Sequence, residues 1–522
     1  MKKLFVLTLV VVLGLTGLVQ AANLADVYQF GDLNEGEITQ VDDGHTALIL
    51  QNGDEHDGDI SQAGSGNTGY LIQNNLANTG SITQDADNSS ATGGQDGEDN
   101  LLTITQRGED NTAFAVQWGS FNDVAVEQDA EDAEATVLQT GDLNFASVVQ
   151  LGDDTFATVE QMGDLNSADV EQVGDGTTAT VAQTGDENDA EVYQSGRGDE
   201  ATIGQEGDLN YASVTQTGFS LFTGPNTAEV SQVGVDNFAT ILQRAIGLAG
   251  GLSTASIEQV GDENSAEVTQ AGLGLVQGGN SATIEQTGDE NRATAAQDGV
   301  GHSVVILQDG SRNIADAIQE GLGNIARISQ LDVADVATIL QDGWYNEAKV
   351  VQGDHNYAGG LMTATILQDG RFNYASIEQD RGTATALITQ DGRYNEAYQT
   401  QDQRTGRNST EAIITQDGRY NYAEQTQSSG GGLKAYIYQT GYYNEAIQTQ
   451  SNNSQTSGVF NVATTTQDGW RNSASIEQTG QVVTGTITQT GNDNMGSILQ
   501  TIGDGVGSIT QVGNGNTGSI NH

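Results

Sequence analysis

Apolar and polar positions alternate with a period of two along short runs of this chain. Asn144, Ala146, Val148 and Gln150 share one parity, and Phe145, Ser147 and Val149 the other. The next run repeats the scheme, with Ala157, Val159 and Gln161 set against Thr158 and Glu160. Alternation rich in Val, Ile and Thr and bounded by Gly, Asp and Asn predicts strands joined by tight turns. The runs are themselves periodic. A glutamine recurs every 11 residues from Gln29 to Gln216 without a slip, and the series then continues, with insertions, to Gln511. It numbers 42 positions, hence about 21 units of about 22 residues. An 11-residue period also suits a right-handed helical supercoil, but a glycine at nearly every step and abundant Val and Thr oppose helix. The fold class expected is all-β: a β-solenoid of about 21 stacked strand-turn-strand rungs, with two facing parallel in-register sheets.

Such stacking explains the glutamines. A buried lone amide is costly, whereas identical amides one rung apart, about 4.8 Å, satisfy one another as a ladder. The ladder residues read from the most regular stretch are Gln139, Asn144, Gln150, Gln161, Asn166, Gln172, Gln183, Asn188, Gln194, Gln205, Asn210 and Gln216. Glycine two residues after Gln permits positive φ at the bend, and Asp or Asn supports the turn. The few large apolar side chains of one rung cannot offset the cost of ordering its backbone, so cohesion must come from stacking.

The pattern Q-x-G-x-x-N-x-A-x-x-x-Q resembles the curlin repeat of curli, the bacterial extracellular amyloid. It is complete at Gln139, Gly141, Asn144, Ala146 and Gln150, and again from Gln161, Gln183 and Gln205. The resemblance extends over nearly the whole chain beyond Ala21. It implies a secreted subunit that polymerises into cell-surface fibres of a biofilm matrix, supporting adhesion and aggregation. The implied partners are the chain itself, a nucleator subunit and an outer-membrane secretion channel. The chain departs from the family in having many more repeats, in placing Thr155, Thr177 and Asp199 where the family has Ser, and in lacking the family's Gly/Asn-rich leader at Ala22 to Tyr28.

Composition narrows the function further. Lys2 and Lys3 precede an apolar run from Leu4 to Leu13 and a small-residue site at Ala21-Ala22, the form of a signal peptide over residues 1–21. That run is too short to span a bilayer, and no membrane insertion is expected after its removal. The absence of cysteine excludes disulfides, and a net charge of −54 disfavours nucleic acid as a partner. Residues 22–28 form a short N-terminal segment. Residues 29–319 read as an acidic solenoid half in which regular Asn-containing turns follow alternate glutamines. In residues 320–522 those turns change places with the irregular ones, near residues 319–341, where a half-rung slip is admissible because both edges accept the same strand. Insertions keep to the irregular edge, after Gln216, Gln243 and Gln270 in the first half and Gln352, Gln401 and Gln450 in the second. Residues 22–307 carry 49 acidic and 4 basic side chains, whereas residues 308–522 carry 22 and 11.

Candidate chemistry is confined to the turns. Asp142, Asp164, Asp186 and Asp208 recur once per rung and should stack as a column. Clustered carboxylates suit Ca²⁺, but Asp after Gly also favours the turn by itself, which is the reading preferred. Trp344 with Tyr345, Arg371 with Phe372, Arg393 with Tyr394, Arg419 with Tyr420, Tyr442 with Tyr443, and Trp470 with Arg471 form an aromatic and arginine stripe. Such groups are favoured at interfaces; a lateral contact with the acidic edge of a neighbouring rod or with a polysaccharide is expected, against the alternative that the rings only staple adjacent rungs. His45, His56 and His302 occupy the slot usually held by Asn and read as turn substitutes rather than ligands. No catalytic constellation or cofactor motif is found, so the protein is read as structural rather than enzymatic. The competing function is a soluble monomeric β-solenoid acting as a surface adhesin or binding module. The outward positions Ser147, Glu160, Glu171 and Ala182 are too mixed for a flat threonine array, although Thr484, Thr486 and Thr488 make one short row.

Overall fold

The computed structural model describes residues 22–522 apart from 221–224, 248–251, 275–278, 354–360, 404–408, 429–431, 452–459 and 502–503. The signal-peptide reading of residues 1–21 therefore lies outside the described residues, as do large parts of the insertions after Gln216, Gln243, Gln270, Gln352, Gln401 and Gln450. The chain forms two compact units, Met1–Leu209 and Asn210–His522.

In the first unit every described element is a strand, from Leu24–Phe30 to Glu200–Glu206. Each strand pairs with the strand one full turn away rather than with its sequence neighbour. Glu134–Thr140 pairs in parallel with Phe156–Met162, placing Gln139 opposite Gln161, and Phe145–Gln150 pairs with Ser167–Gln172, placing Gln150 opposite Gln172. Alternate strands thus build two parallel in-register sheets, and the unit is a β-solenoid. Residues from Leu24 onward already take part, since Leu24 is paired with Thr46.

The period-two pattern sets the core. Along Phe145–Gln150, Ala146, Val148 and Gln150 are buried, while Ser147 and Val149 are only partly covered. Alanine four residues before most of the glutamines and Val or Ile two before them fill the space between the sheets, as at Ala157 with Val159 and Ala201 with Ile203. A parallel sheet needs both its amide ladder and a covered face, and here each sheet covers the other.

The second unit follows the same plan, from Tyr211–Ser220 to Thr517–Asn521. Together the two units contain about 21 two-strand turns of about 22 residues each. Through the region where the turn types change places the register is unbroken. Gln286, Gln308, Gln330 and Gln352 stay opposite one another in one sheet, and Gln297, Gln319, Gln341 and Gln368 in the other. No half-rung slip occurs there. Both sheets bury the same set, Ala326, Ile328 and Gln330 on one side and Ala337, Ile339 and Gln341 on the other. The turns change character while the register of the strands does not.

Candidate functional site

The glutamine column is continuous within the first unit. Gln139 Nε2 donates to Gln161 Oε1 at 2.8 Å, Gln161 to Gln183 at 2.8 Å and Gln183 to Gln205 at 2.9 Å. On the other sheet Gln128 donates to Gln150, Gln150 to Gln172 and Gln172 to Gln194, at 2.8 to 3.0 Å. The second amide proton is also used, Gln161 Nε2 reaching the carbonyl of Phe145 at 2.9 Å on the opposite sheet. In the second unit Gln216 donates to Gln243 at 2.9 Å and Gln243 to Gln270 at 2.9 Å across longer inserted turns. Each of these amides donates to the glutamine of the higher-numbered turn, and the ladders therefore have a direction.

Asparagine closes the corners. The Asn144 backbone and side chain both donate to Asn122 Oδ1, at 3.0 and 3.1 Å, and Nδ2 also reaches Gly163 O at 2.8 Å. Asn166 and Asn188 repeat this on Gly185 and Gly207, and Asn210 bonds Gly234 in the second unit. All are buried.

A further column escaped the sequence reading. Gln399, Gln425 and Gln448 replace the aliphatic residue two before the ladder glutamine, and all are buried. Gln399 donates to Gln425 Oε1 at 3.0 Å, Gln425 to Gln448 at 3.2 Å, and Gln448 to Thr465 Oγ1 at 3.0 Å. The Gln-Thr-Gln triplets at Gln399, Gln425 and Gln448 were the signal, since two glutamines two apart in a strand share a face.

The regular corner of the first unit presents Asp142, Asp164, Asp186 and Asp208. Each carboxylate from Asp164 onward accepts the backbone N–H of the aspartate one turn earlier: Asp142 N–H donates to Asp164 Oδ1 at 2.8 Å, Asp164 to Asp186 at 2.9 Å, and Asp186 to Asp208 at 2.9 Å. This is turn support. Among the described residues no group of three or more His, Asp or Glu is arranged to hold a metal ion. Beside them, Leu143 and Leu165 take φ values near 60°, and Leu143, Leu165 and Leu209 are about half exposed.

In the second unit the aspartate column continues at Asp262 and Asp289, and beyond the change of turn types the regular corner carries the stripe. Tyr345, Phe372, Tyr394, Tyr420 and Tyr443 stack face to face along the turns with centroids 4.8 to 5.3 Å apart. The Arg371 guanidinium lies 3.7 Å above the Trp344 ring, Arg419 lies 5.9 Å from Tyr442, and Tyr442 meets Trp470 edge-on at 5.5 Å. Arg471 pairs with Asp493 at 3.1 Å. Among the described residues no ion pair is formed by Arg371, Arg393 or Arg419. The rings do link neighbouring turns, and they also remain 37 to 55 % exposed.

The histidines occupy the corner column as substitutes. His45, His56 and His302 are buried, and their Nδ1 atoms accept the backbone N–H groups of Asn67, Asn78 and Asn324 at 3.2 to 3.3 Å. That geometry requires the Nε2–H tautomer, which in His45 reaches Val41 O at 2.8 Å. Burial pushes the pKa of His56 and His302 down, so neutral rings are preferred. Asp335 fills the same slot. It is fully buried, its Oδ1 accepts Met362 N–H at 3.1 Å, and Oδ2 has no partner among the described residues. Burial raises its pKa to about 7.

Five stretches, residues 97–129, 130–163, 152–185, 185–218 and 279–306, match the model of the curlin associated repeat. The chain carries curlin repeats. No curated protein matches it. The curlin repeats at 130–163 and 152–185 contain the ladder residues from Gln139 to Gln183, together with Asp142 and Asp164. The aromatic and arginine stripe lies outside all five stretches. Curlin repeats on a β-solenoid make a structural module.

Proposed function

We propose that the chain is a secreted structural subunit that self-assembles into extracellular curli-like amyloid fibres of a biofilm matrix, supporting adhesion and cell aggregation. The observation that carries this reading is the direction of the glutamine ladders. Each turn offers amide oxygens on one face and amide protons on the other, as at Gln139, Gln161 and Gln183, so a further copy added in the same polarity continues both ladders and both parallel sheets. Heterologous contacts of this kind propagate rather than close, and unpaired strand edges template them. The curlin repeats support the same reading and the extracellular setting with it. A nucleator subunit and an outer-membrane channel are the partners such assembly calls for.

The test is electron microscopy and fibre diffraction of the purified chain lacking residues 1–21. Unbranched fibres with a reflection at about 4.7–4.8 Å along the axis are expected. Persistent monomers that bind cells would instead support a soluble adhesin. Because the net charge is −54, repulsion opposes assembly, and lower pH, added salt or Ca²⁺ should shorten the lag of a thioflavin time course.

A further inference from the structure

Two corners of this molecule share one turn geometry and carry opposite chemistry. In the first unit the third and fourth residues after the glutamine are Asp142 with Leu143 and Asp164 with Leu165; in the second they are Arg371 with Phe372 and Arg393 with Tyr394. The fourth position has positive φ in both, 60° at Leu165 and 57° at Tyr394, so the backbone aims both pairs of columns outward in the same manner. The Asp164 Oδ1 atom is engaged by a backbone N–H, which leaves Oδ2 as the acceptor at the surface. The Arg393 guanidinium has no carboxylate partner among the described residues. Both columns advance by one strand spacing per turn, and the rings of the second mark that step directly at 4.8 to 5.3 Å. Two charge columns of equal pitch match at every turn once they match at one.

We propose that the arginine and aromatic edge of the second unit docks along the aspartate and leucine edge of the first unit of a second copy. Guanidinium groups meet carboxylates, and the outward edges of the stacked rings cover the half-exposed leucines. Each exposed ion pair is weak alone, but a row of them on rigid supports acts as one multivalent contact. The inference deepens the assembly reading and rests on it for its setting, since fibres whose sides carry both edges would join into bundles.

The chain has no cysteine, which gives a direct test. One full-length chain lacking residues 1–21 carries Asp164→Cys and a second carries Arg393→Cys; they are mixed under mild oxidation, and the disulfide-linked products are identified by mass. A heterodimer at least five-fold more abundant than either homodimer is expected. It should fall at least ten-fold when Arg371→Asp and Arg419→Asp are added to the second chain, and survive when those two residues become Lys. Equal yields of all dimers, a dominant Arg393→Cys homodimer, or indifference to the charge reversals would overturn the proposal. So would a stripe whose charge reversal abolishes binding to alginate while leaving the heterodimer unchanged, because the stripe would then serve a polysaccharide. Fibres that form but give no heterodimer refute the docking and spare the assembly reading; monomers that still give the heterodimer do the reverse.

Discussion

The regular edges of the two units are built on the same bend yet stabilised differently. At the first, the strand Glu134–Thr140 stops one residue past its glutamine, and the turn is held by the Asp164 carboxylate on the Asp142 amide. At the second, the strand Ala384–Arg393 runs through Asp391, Gly392 and Arg393 before it ends. Backbone pairing with the next turn replaces the carboxylate there, and stacked rings add to it. Once the ladder itself carries the turn, the third residue no longer has to accept a hydrogen bond and is free to be Arg or Trp. The same fold thus tolerates opposite surfaces.

The most severe way to break this comparison is to attack what the edges share. A Cβ at Gly163 would lie 2.0 Å from Gly185 O, and one at Gly392 1.9 Å from Gly418 O, both at positive φ. Gly163→Val and Gly392→Val should each cost about 3 kcal/mol or more in urea unfolding followed by circular dichroism. Unequal losses would show that the two bends are not equivalent. Next comes the buried charge of the second unit. With its folded pKa raised from 3.8 to about 7, Asp335 favours folding while protonated; stability should fall as pH rises from about 4 to 7 and level off above it. Asp335→Asn should remove that slope and raise stability at pH 8, in urea unfolding, by an amount on the order of a few kcal/mol. The histidines act with the opposite sense: His302 is held neutral when folded, so stability drops as pH falls below its ordinary 6.5, and His302→Asn should flatten that limb.

A ladder substitution is comparable in size. Gln161→Leu strands the amide of Gln139 and the acceptor of Gln183 and should cost about 2 kcal/mol or more by thermal unfolding. The smallest effects belong to the surfaces. Tyr394→Ser removes two ring stacks, at 5.0 and 4.9 Å, and should cost about 1 kcal/mol, while Asp164→Asn, which keeps an acceptor oxygen for the Asp142 amide, should cost less still. If Tyr394→Ser instead proves as damaging as Gln161→Leu, the second edge is structural first and a surface second.

Much of this was legible in the chain. The interval from Gln139 to Gln150 to Gln161 gave the period, the parity of Ala146, Val148 and Gln150 gave the buried face, and Gly141 gave the bend. What stayed hidden depended on how the backbone shares its hydrogen bonds. Leu143 and Tyr394 sit at positive φ although neither residue favours it, because neighbouring turns accept and donate across them: Leu143 N–H bonds Ser120 O and Tyr394 N–H bonds Arg371 O. The half-rung slip admitted near residues 319–341 rests on the change of turn types and on a strand pattern that both edges accept. The inward set of the strands, which is identical on both sheets, fixes the register and makes a slip unnecessary.

The glycine column has one more effect. Gly141, Gly163 and Gly185 leave each carbonyl of the turn above so close to the Cα below that only a hydrogen atom fits between them. A strand arriving one residue out of step would bring Thr140 or Asp142 into that space and be turned away by simple contact, long before any amide could be matched. The column therefore behaves as a gauge, admitting a turn only when it carries glycine at the right interval.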